Sequence, residues 1–519
     1  MPDVAQITVS PARIAELTAL IRATGTETRT TVTPLTGADI ATVPVSTEQD
    51  VLDAFAVARV AQRAWARTSL RRRKRALLRL HDLILKNREE LLDLVQLESG
   101  KARAHAFDEV LHTALTGRYY GRRLSRILGP HRIAGAYPVL TGIRQYHQPK
   151  GVVGLITPWN YPLSMALVDG LAAVAAGNAV VHKPDSQAPL TALAIIQLMH
   201  RAGFPKDLWQ VVSGAGSTIG STIIDNSDYI CFTGSTATGK RIAAQCSERL
   251  IGCSLELGGK NPMIVLPGAD VQKTVEGTIN AAFSSAGQLC VSIERIYVHE
   301  SIYDQYRDAL AERLERLSYG ANADWEAEMG TLVSPAQLAT IEKHVADAID
   351  HGATVVSGGR ARPDIAPWFH EPTVLENVPE TALCFAEETF GPLVSLYPYR
   401  GVGEAIAQAN DTVYGLNASV WGPVRRARKV APRIQAGTVN VNEGFAATFG
   451  SIGAPMGGMK QSGTGRRQGA EGLLRFTESQ SVGVQRLVPV GGPPQLSKRT
   501  FTTVLTVGLV LMRRFSRKA

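Results

Sequence analysis

Short apolar strands alternate with helical stretches along most of the 519 residues, and that alternation predicts an α/β protein with parallel, doubly wound sheets. Two further observations support the class. Apolar residues recur at three- and four-residue spacing in the helical stretches, and glycine-rich turns join strand to helix. Hydrophobic residues make up 45% and charged residues 19%, a globular balance that excludes a disordered, collagen-like or disulfide-stapled chain. At about 150 residues per domain, the length corresponds to roughly three or four structural units.

The first fifth reads as helices. Glu48–Thr68 and Lys74–Glu98 carry the pattern, the second through Leu77, Leu80, Leu83, Ile84 and Leu91. From Gly151 the rhythm changes, with strands at Gly151–Ile156, Asn178–Val181, Gln210–Val212 and Tyr229–Phe232. Between them a helix closes at Val174–Ala176 and another spans Thr191–Ala202. A second alternating section places strands at Met263–Leu266, Ile296–Val298, Leu393–Leu396 and Thr438–Val441. Its helices are Val271–Ser284, Ile302–Leu317 and Pro335–His351. Gly450–Gly465 reads as a loop that approaches a ligand. Ile143–Gln148 and Ser479–Leu487 carry little core signal and are candidates for an intersubunit hairpin.

The formal net charge is +9, from 55 Lys+Arg against 46 Asp+Glu. Most of that excess sits in Arg71–Arg75 and at Lys498, Arg499, Arg513, Arg514, Arg517 and Lys518, so the body is close to neutral and no nucleic-acid partner is expected. The first cluster reads as a solvated helix face. Five cysteines without CxxC spacing imply neither a disulfide frame nor a zinc site, and no metal is expected. Met1–Ile21 lacks a secretory pattern, and a cytoplasmic location is expected. Thr500–Met512 is uncharged, but as a helix it would extend only about 20 Å.

Three features could carry chemistry. In Phe232–Lys240 a strand turns into a helix through Gly234 and Ser235, a geometry suited to phosphate but also to an ordinary tight turn. Among the thiols, Cys231, Cys246 and Cys253 lie in apolar settings and read as packing residues. Cys290 follows the small, polar run Ser284–Leu289, which leaves space for a ligand beside a nucleophile. Glu256 sits between Leu255 and Leu257, where desolvation raises a carboxyl towards a useful general base; the competing reading pairs it with Lys260.

Seven segments in order extend the pattern: Thr157-Pro158-Trp159-Asn160-Tyr161-Pro162, Lys183-Pro184, Phe232–Thr236, Leu255–Lys260, Gly287–Cys290, Glu388–Pro392 and Gly457–Gly463. Together they resemble the aldehyde dehydrogenase superfamily over Val45–Val482. The resemblance implies two Rossmann-like domains plus a small β oligomerisation element. Residues 1–128 and 148–257 would form the NAD(P)-binding domain, 258–475 the catalytic domain and 129–147 with 476–490 the oligomerisation element. Residues 491–519 would be a basic tail, and a homodimer or homotetramer is implied.

The same resemblance assigns Cys290 as nucleophile and Asn160, with the Cys290 backbone N–H, as oxyanion donors. Glu256 becomes the base that activates water on a thioester, favouring hydrolysis over transfer to coenzyme A. Retention of all three disfavours a non-catalytic binding protein. Lys183 and Glu388 are implied at ribose hydroxyls and Phe390 near the nicotinamide. Gly214 and Ser235 are implied near the adenine and pyrophosphate, and Thr157, Pro158, Trp159, Gly234 and Leu257 complete the cofactor set. NAD-preferring members commonly have a glutamate where this chain has Ser186, so NADP is expected to be preferred, with NAD the alternative.

Several segments are most similar to a bacterial succinate-semialdehyde dehydrogenase branch. The two arginines that many such enzymes use for the distal carboxylate are replaced by Val168 and Ser284. Either Arg295 or Lys460 takes over, or the aldehyde is less charged. The basic tail leaves open oxidation of a fatty aldehyde at a membrane surface.

Overall fold

The computed structural model describes residues 7–136, 140–320 and 323–515. Its first parallel sheet is ordered Gly463–Thr464, Gly252–Glu256, Tyr229–Thr233, Val152–Ile156, Ala179–Lys183 and Trp209–Val211, with Gly463–Thr464 antiparallel at the edge. Chain order starts at Val152–Ile156, runs outward through two strands, then reverses to the other side at Tyr229–Thr233. That reversal opens a crevice beyond the carboxyl ends of these two strands, at Thr157 and Gly234.

The second sheet is ordered Thr354–Ser357, Thr373–Glu376, Leu393–Tyr399, Ile293–His299, Asn261–Val265, Asn417–Trp421 and Thr438–Val441. Only four residues, Leu257–Lys260, connect Glu256 at the end of the first sheet to Asn261 at the start of the second. The carboxyl edge of one sheet is thereby brought to the amino edge of the other. A third sheet pairs Thr477–Gln485 with Thr141–Pro149, and the latter with His131–Ile133. The β element expected near 129–147 and 476–490 is therefore present as a three-stranded antiparallel sheet.

Local sequence explains where helices begin and stop. Thr47 and Asp50 form a capping box that opens the helix Glu48–Ala66. The stretch expected as one helix over Lys74–Glu98 is two, Leu70–Lys86 and Arg88–Ser99, because Asn87 leaves helical backbone and its amide donates to the Leu83 carbonyl at 2.6 Å. The Val271–Ser284 helix is likewise shortened to Val271–Thr278, followed by a π-turn at Ile279–Phe283. Not singled out by pattern were the helix Arg103–Leu128 and the hairpin Thr28–Val32 with Asp39–Pro44.

The helix Pro162–Ala176 is buried on every side, which accounts for its nearly unbroken apolar composition. The Arg71–Arg75 cluster is only partly a solvated face: Arg73 is buried and donates to the carbonyls of Trp65, Ala66 and Ala175. Burial pushes its guanidinium down to about 10. At the far end, Lys498–Phe515 is helical, while Arg517 and Lys518 lie outside the described residues. Among the described residues, no helix is long and apolar enough to cross a membrane.

Candidate active site

Two adjoining spaces lie at the carboxyl edge of the first sheet, one of them reaching the seam with the second. A cavity of about 270 Å³ is lined by Asn160, Glu256, Leu257, Cys290, Glu388 and Phe390, among others. A groove of about 640 Å³ is lined by Thr157, Lys183, Gly216, Gly220 and Arg241. Pro158, Trp159, Thr233, Gly234 and Ser235 border both, so the two are continuous. Ser186 and Gly214 lie just outside the groove lining, with the Ser186 hydroxyl donating to the Gly214 carbonyl at 3.5 Å.

Cys290 is half-buried, on a loop that a rare backbone path brings into place. Ser285, Ala286 and Gly287 have φ of 53°, 54° and 69°, three consecutive left-handed residues. A Cβ on Gly287 would lie 2.1 Å from the Gly391 carbonyl oxygen, so only glycine fits. Gln288 then clamps the loop. Its Nε2 donates to Ser285 O at 3.2 Å and its Oε1 accepts from Val333 N at 3.0 Å. Burial pushes the Cys290 thiol up to about 12, with Arg467 opposing, so the sulfur is protonated at neutral pH until a base takes the proton.

Asn160 precedes the buried helix, where Lys101 holds its carbonyl. Lys101 Nζ donates to Asn160 O and Glu109 Oε1, both at 2.6 Å. Glu109 Oε2 in turn accepts from Leu163 N and Ser164 N at 2.9 Å. The Asn160 amide donates to Gln288 O at 3.0 Å, leaving its second N–H for a ligand oxygen. This buried ion pair therefore fixes the amide against the nucleophile's loop.

Glu256 does not pair with Lys260. Lys260 Nζ instead reaches Glu294 at 2.5 Å, and Glu294 accepts from the backbone of Thr389 and Phe390. Glu256 is buried, and desolvation pushes its carboxyl up to about 7 against the opposing pull of Arg467. Arg467 Nε stands 3.7 Å from Glu256 Oε1, and neither atom has a hydrogen-bond partner. The same guanidinium donates to Asp169 at 2.9 Å and Thr233 at 2.9 Å, while Arg475 holds the other Asp169 oxygen at 2.5 Å. Burial disfavours the Asp169 charge, but these two arginines overcome it and hold the carboxyl below its usual range. The cavity's carboxylate is thus set beside a neutralised arginine, close enough to tune it.

At the same cavity, Glu388 Oε1 accepts from Gly259 N at 2.9 Å, and burial, reinforced by Glu294, pushes this carboxyl up to about 8. Phe390, at φ 54°, packs edge-on to Trp159 with centroids 5.7 Å apart. Gly216 and Gly220 have no atom within 4 Å of a would-be Cβ, which leaves the groove floor open. Lys183 is buried at the groove wall; desolvation lowers its pKa, and Asp185 opposes that shift.

The proposed carboxylate holders are elsewhere. Arg295 is consumed by the carbonyls of Lys260, Gln408 and Ala409, and Lys460 binds those of Asn410 and Thr412. Neither lines the cavity, because both are committed to closing loops of the second sheet. Sequence reasoning missed Arg467, Asp169, Gln288, Glu294 and Lys101. Only Asp169 left a clear signal, as a lone carboxylate in an apolar helical run, which demands a buried partner.

The aldehyde dehydrogenase family model matches residues 21–482. A Mycolicibacterium smegmatis protein named "Putative succinate-semialdehyde dehydrogenase, NADP(+)" is 48% identical over 95% of this chain and 96% of its own length. A glutarate-semialdehyde dehydrogenase from Pseudomonas aeruginosa is 36% identical over 86% of this chain and 92% of its own. Among solved structures, betaine aldehyde dehydrogenase from Staphylococcus aureus, in complex with NAD+, aligns at TM-score 0.86 and 33% identity, covering 92% of this chain and 96% of that one. An NADP dependent enzyme from E. coli aligns at 0.85 and 34%, covering 90% and 96%. The family match and the identity to these relatives run along nearly the whole length, and the chain belongs to the aldehyde dehydrogenase family.

Proposed function

We propose that this chain oxidises succinate semialdehyde to succinate by a hydrolytic route, with NADP preferred over NAD. The observation that carries the reading is the single cavity shared by Cys290, Asn160 and Glu256, opening into the groove bordered by Gly234 and Ser235. Lys183, Ser186, Gly214, Ser235, Glu388 and Phe390 would hold the dinucleotide, which supplies the hydride acceptor when bound. Ser186 presents no carboxylate to a 2′-phosphate, and Lys183 offers it a cation.

The Cys290 proton passes to water in the cavity as the sulfur adds to the aldehyde carbon, while Glu256 stays half ionised near neutrality for the later step. The oxygen charge that develops is met by the Asn160 side-chain N–H and the Cys290 backbone N–H. Loss of the aldehyde hydrogen as hydride leaves a thioester on Cys290. Glu256 then takes a proton from water, hydroxide adds to the thioester carbonyl, and the thiolate departs as the acid is released.

The relative named for succinate semialdehyde and NADP(+) supports the substrate and cofactor. A second reading, a less charged or fatty aldehyde, draws on the apolar wall of Tyr161, Met165, Leu289, Val291 and Phe449 and on the absence of Arg295 and Lys460 from it. A panel of aldehydes assayed with both cofactors separates the two. Succinate semialdehyde with NADP should give the highest kcat/KM, and a tenfold advantage for NAD or for an uncharged aldehyde would overturn the assignment. For the chemistry itself, Glu256→Gln should retain a hydride burst and lose steady-state turnover by about 100-fold or more. The three-stranded sheet is assigned to intersubunit contact, and a monomeric mass in solution would refute that.

A further inference from the structure

The terminal helix Lys498–Phe515 has a composition that catalysis does not use. It is a built helix: Ser497 caps it, accepting from Thr500 N at 3.2 Å, and the Phe501 ring closes over Gly492 in the preceding turn. Helical spacing aligns Phe501, Val504, Leu505, Gly508 and Leu511 on one side. Arg499, Thr502, Thr503, Thr506 and Arg513 fall on the other with Leu509 and Val510, and Lys498 lies at the border between the two. The apolar side is only partly absorbed into the fold: Phe501, Leu505 and Gly508 are half-buried, but Val504 is 59% exposed, Val507 54% and Leu511 48%.

The charge on this segment is of one sign. Residues 479–519 hold seven Lys/Arg and no Asp or Glu, out of a formal net charge of +9 for the whole chain. An exposed apolar stripe beside a threonine-rich side whose charges are all basic, on a helix too short and polar to span a bilayer, is the pattern of a helix lying in the plane of a charged interface. Lipid phosphates answer both features at once.

We infer that Lys498–Phe515 is a peripheral docking element for an anionic lipid bilayer, holding the enzyme at a membrane surface without crossing it. The docking does not depend on which aldehyde or cofactor is used. The test is co-sedimentation of the full chain with vesicles of phosphatidylglycerol mixed into phosphatidylcholine, against vesicles of phosphatidylcholine alone. Partitioning should be at least about tenfold stronger on the anionic vesicles and should fall as salt is raised. Arg513→Glu with Arg514→Glu should abolish that preference, and Val504→Asp with Leu511→Asp should abolish binding, each leaving turnover of a small aldehyde in solution unchanged.

Equal sedimentation of the full chain and of a chain lacking residues 491–519 would overturn the inference. So would equal binding to both vesicle types. If removing the helix lowers the mass of the assembly while the full chain ignores vesicles, the apolar side covers a second copy of the chain and the lipid assignment is wrong.

Discussion

Replacing Arg467 with methionine removes the cation that stands 3.7 Å from Glu256 in the cavity wall while retaining a side chain of comparable length. Two unit charges 3.7 Å apart attract by about 4 kcal/mol at an effective dielectric of about 20, equivalent to roughly three pKa units. Asp169, 2.9 Å from the same guanidinium, cancels much of that field, so a shift of about one unit should remain. The sign follows from the chemistry. Arg467 favours the ionised form of Glu256, so its loss raises a carboxyl already pushed up to about 7. Glu256 acts as a base, so turnover rises with pH as it ionises. In the parent enzyme the ionised fraction climbs from about a tenth at pH ~6 to about nine tenths at pH ~8, a roughly ninefold rise in kcat where hydrolysis limits. In Arg467→Met the rising limb should move about one unit to higher pH. Steady-state kcat across pH, with the hydride burst recorded in parallel, reads this directly, and Arg467→Lys should restore most of the limb. A limb that stays in place, or moves to lower pH, would refute the electrostatic role. Thermal melts separate that outcome from simple unfolding.

Further expectations concern other parts of the site. Ser186→Glu sets a carboxylate where a 2′-phosphate would lie, so the ratio of kcat/KM for NADP over NAD should fall by about 10-fold or more. Gly287→Ala drives a methyl into the Gly391 carbonyl, and the displaced nucleophile loop should cost about 100-fold in kcat while dinucleotide binding, read by fluorescence, persists. Lys101→Met strands Glu109 as a buried, unpaired charge, with an expected loss of about 3–5 kcal/mol in chemical denaturation. Unchanged stability there would show that the ion pair does not support Asn160.

Much of this molecule was legible from local pattern. Strands such as Tyr229–Thr233 and Leu393–Tyr399 advertise themselves because a strand buried on both faces along most of its length must be mostly apolar. Cys290 and Glu256 stood out by their small or apolar neighbours, whereas Asn160 was named through the family resemblance. Errors fell where tertiary contacts override spacing. Asn87 interrupts an apolar periodicity that continues on both sides, and the left-handed run at Ser285–Gly287 has no periodicity to read.

Charge partners were the least visible feature. Lys260 is four residues from Glu256, yet it pairs with Glu294 across the second sheet, whereas Arg467 is 211 positions away in sequence and 3.7 Å away in space. Arg295 and Lys460 looked available for a substrate carboxylate until their carbonyl partners were known. Composition and spacing are local properties, so they settle which segments are strands, which helices carry an apolar face and which residue types could react. Buried electrostatics is a property of assembled neighbours. A charge leaves water only when folding brings donors or a counter-ion to it, so the setting of Glu256 beside Arg467 and Asp169 was decided by tertiary structure alone.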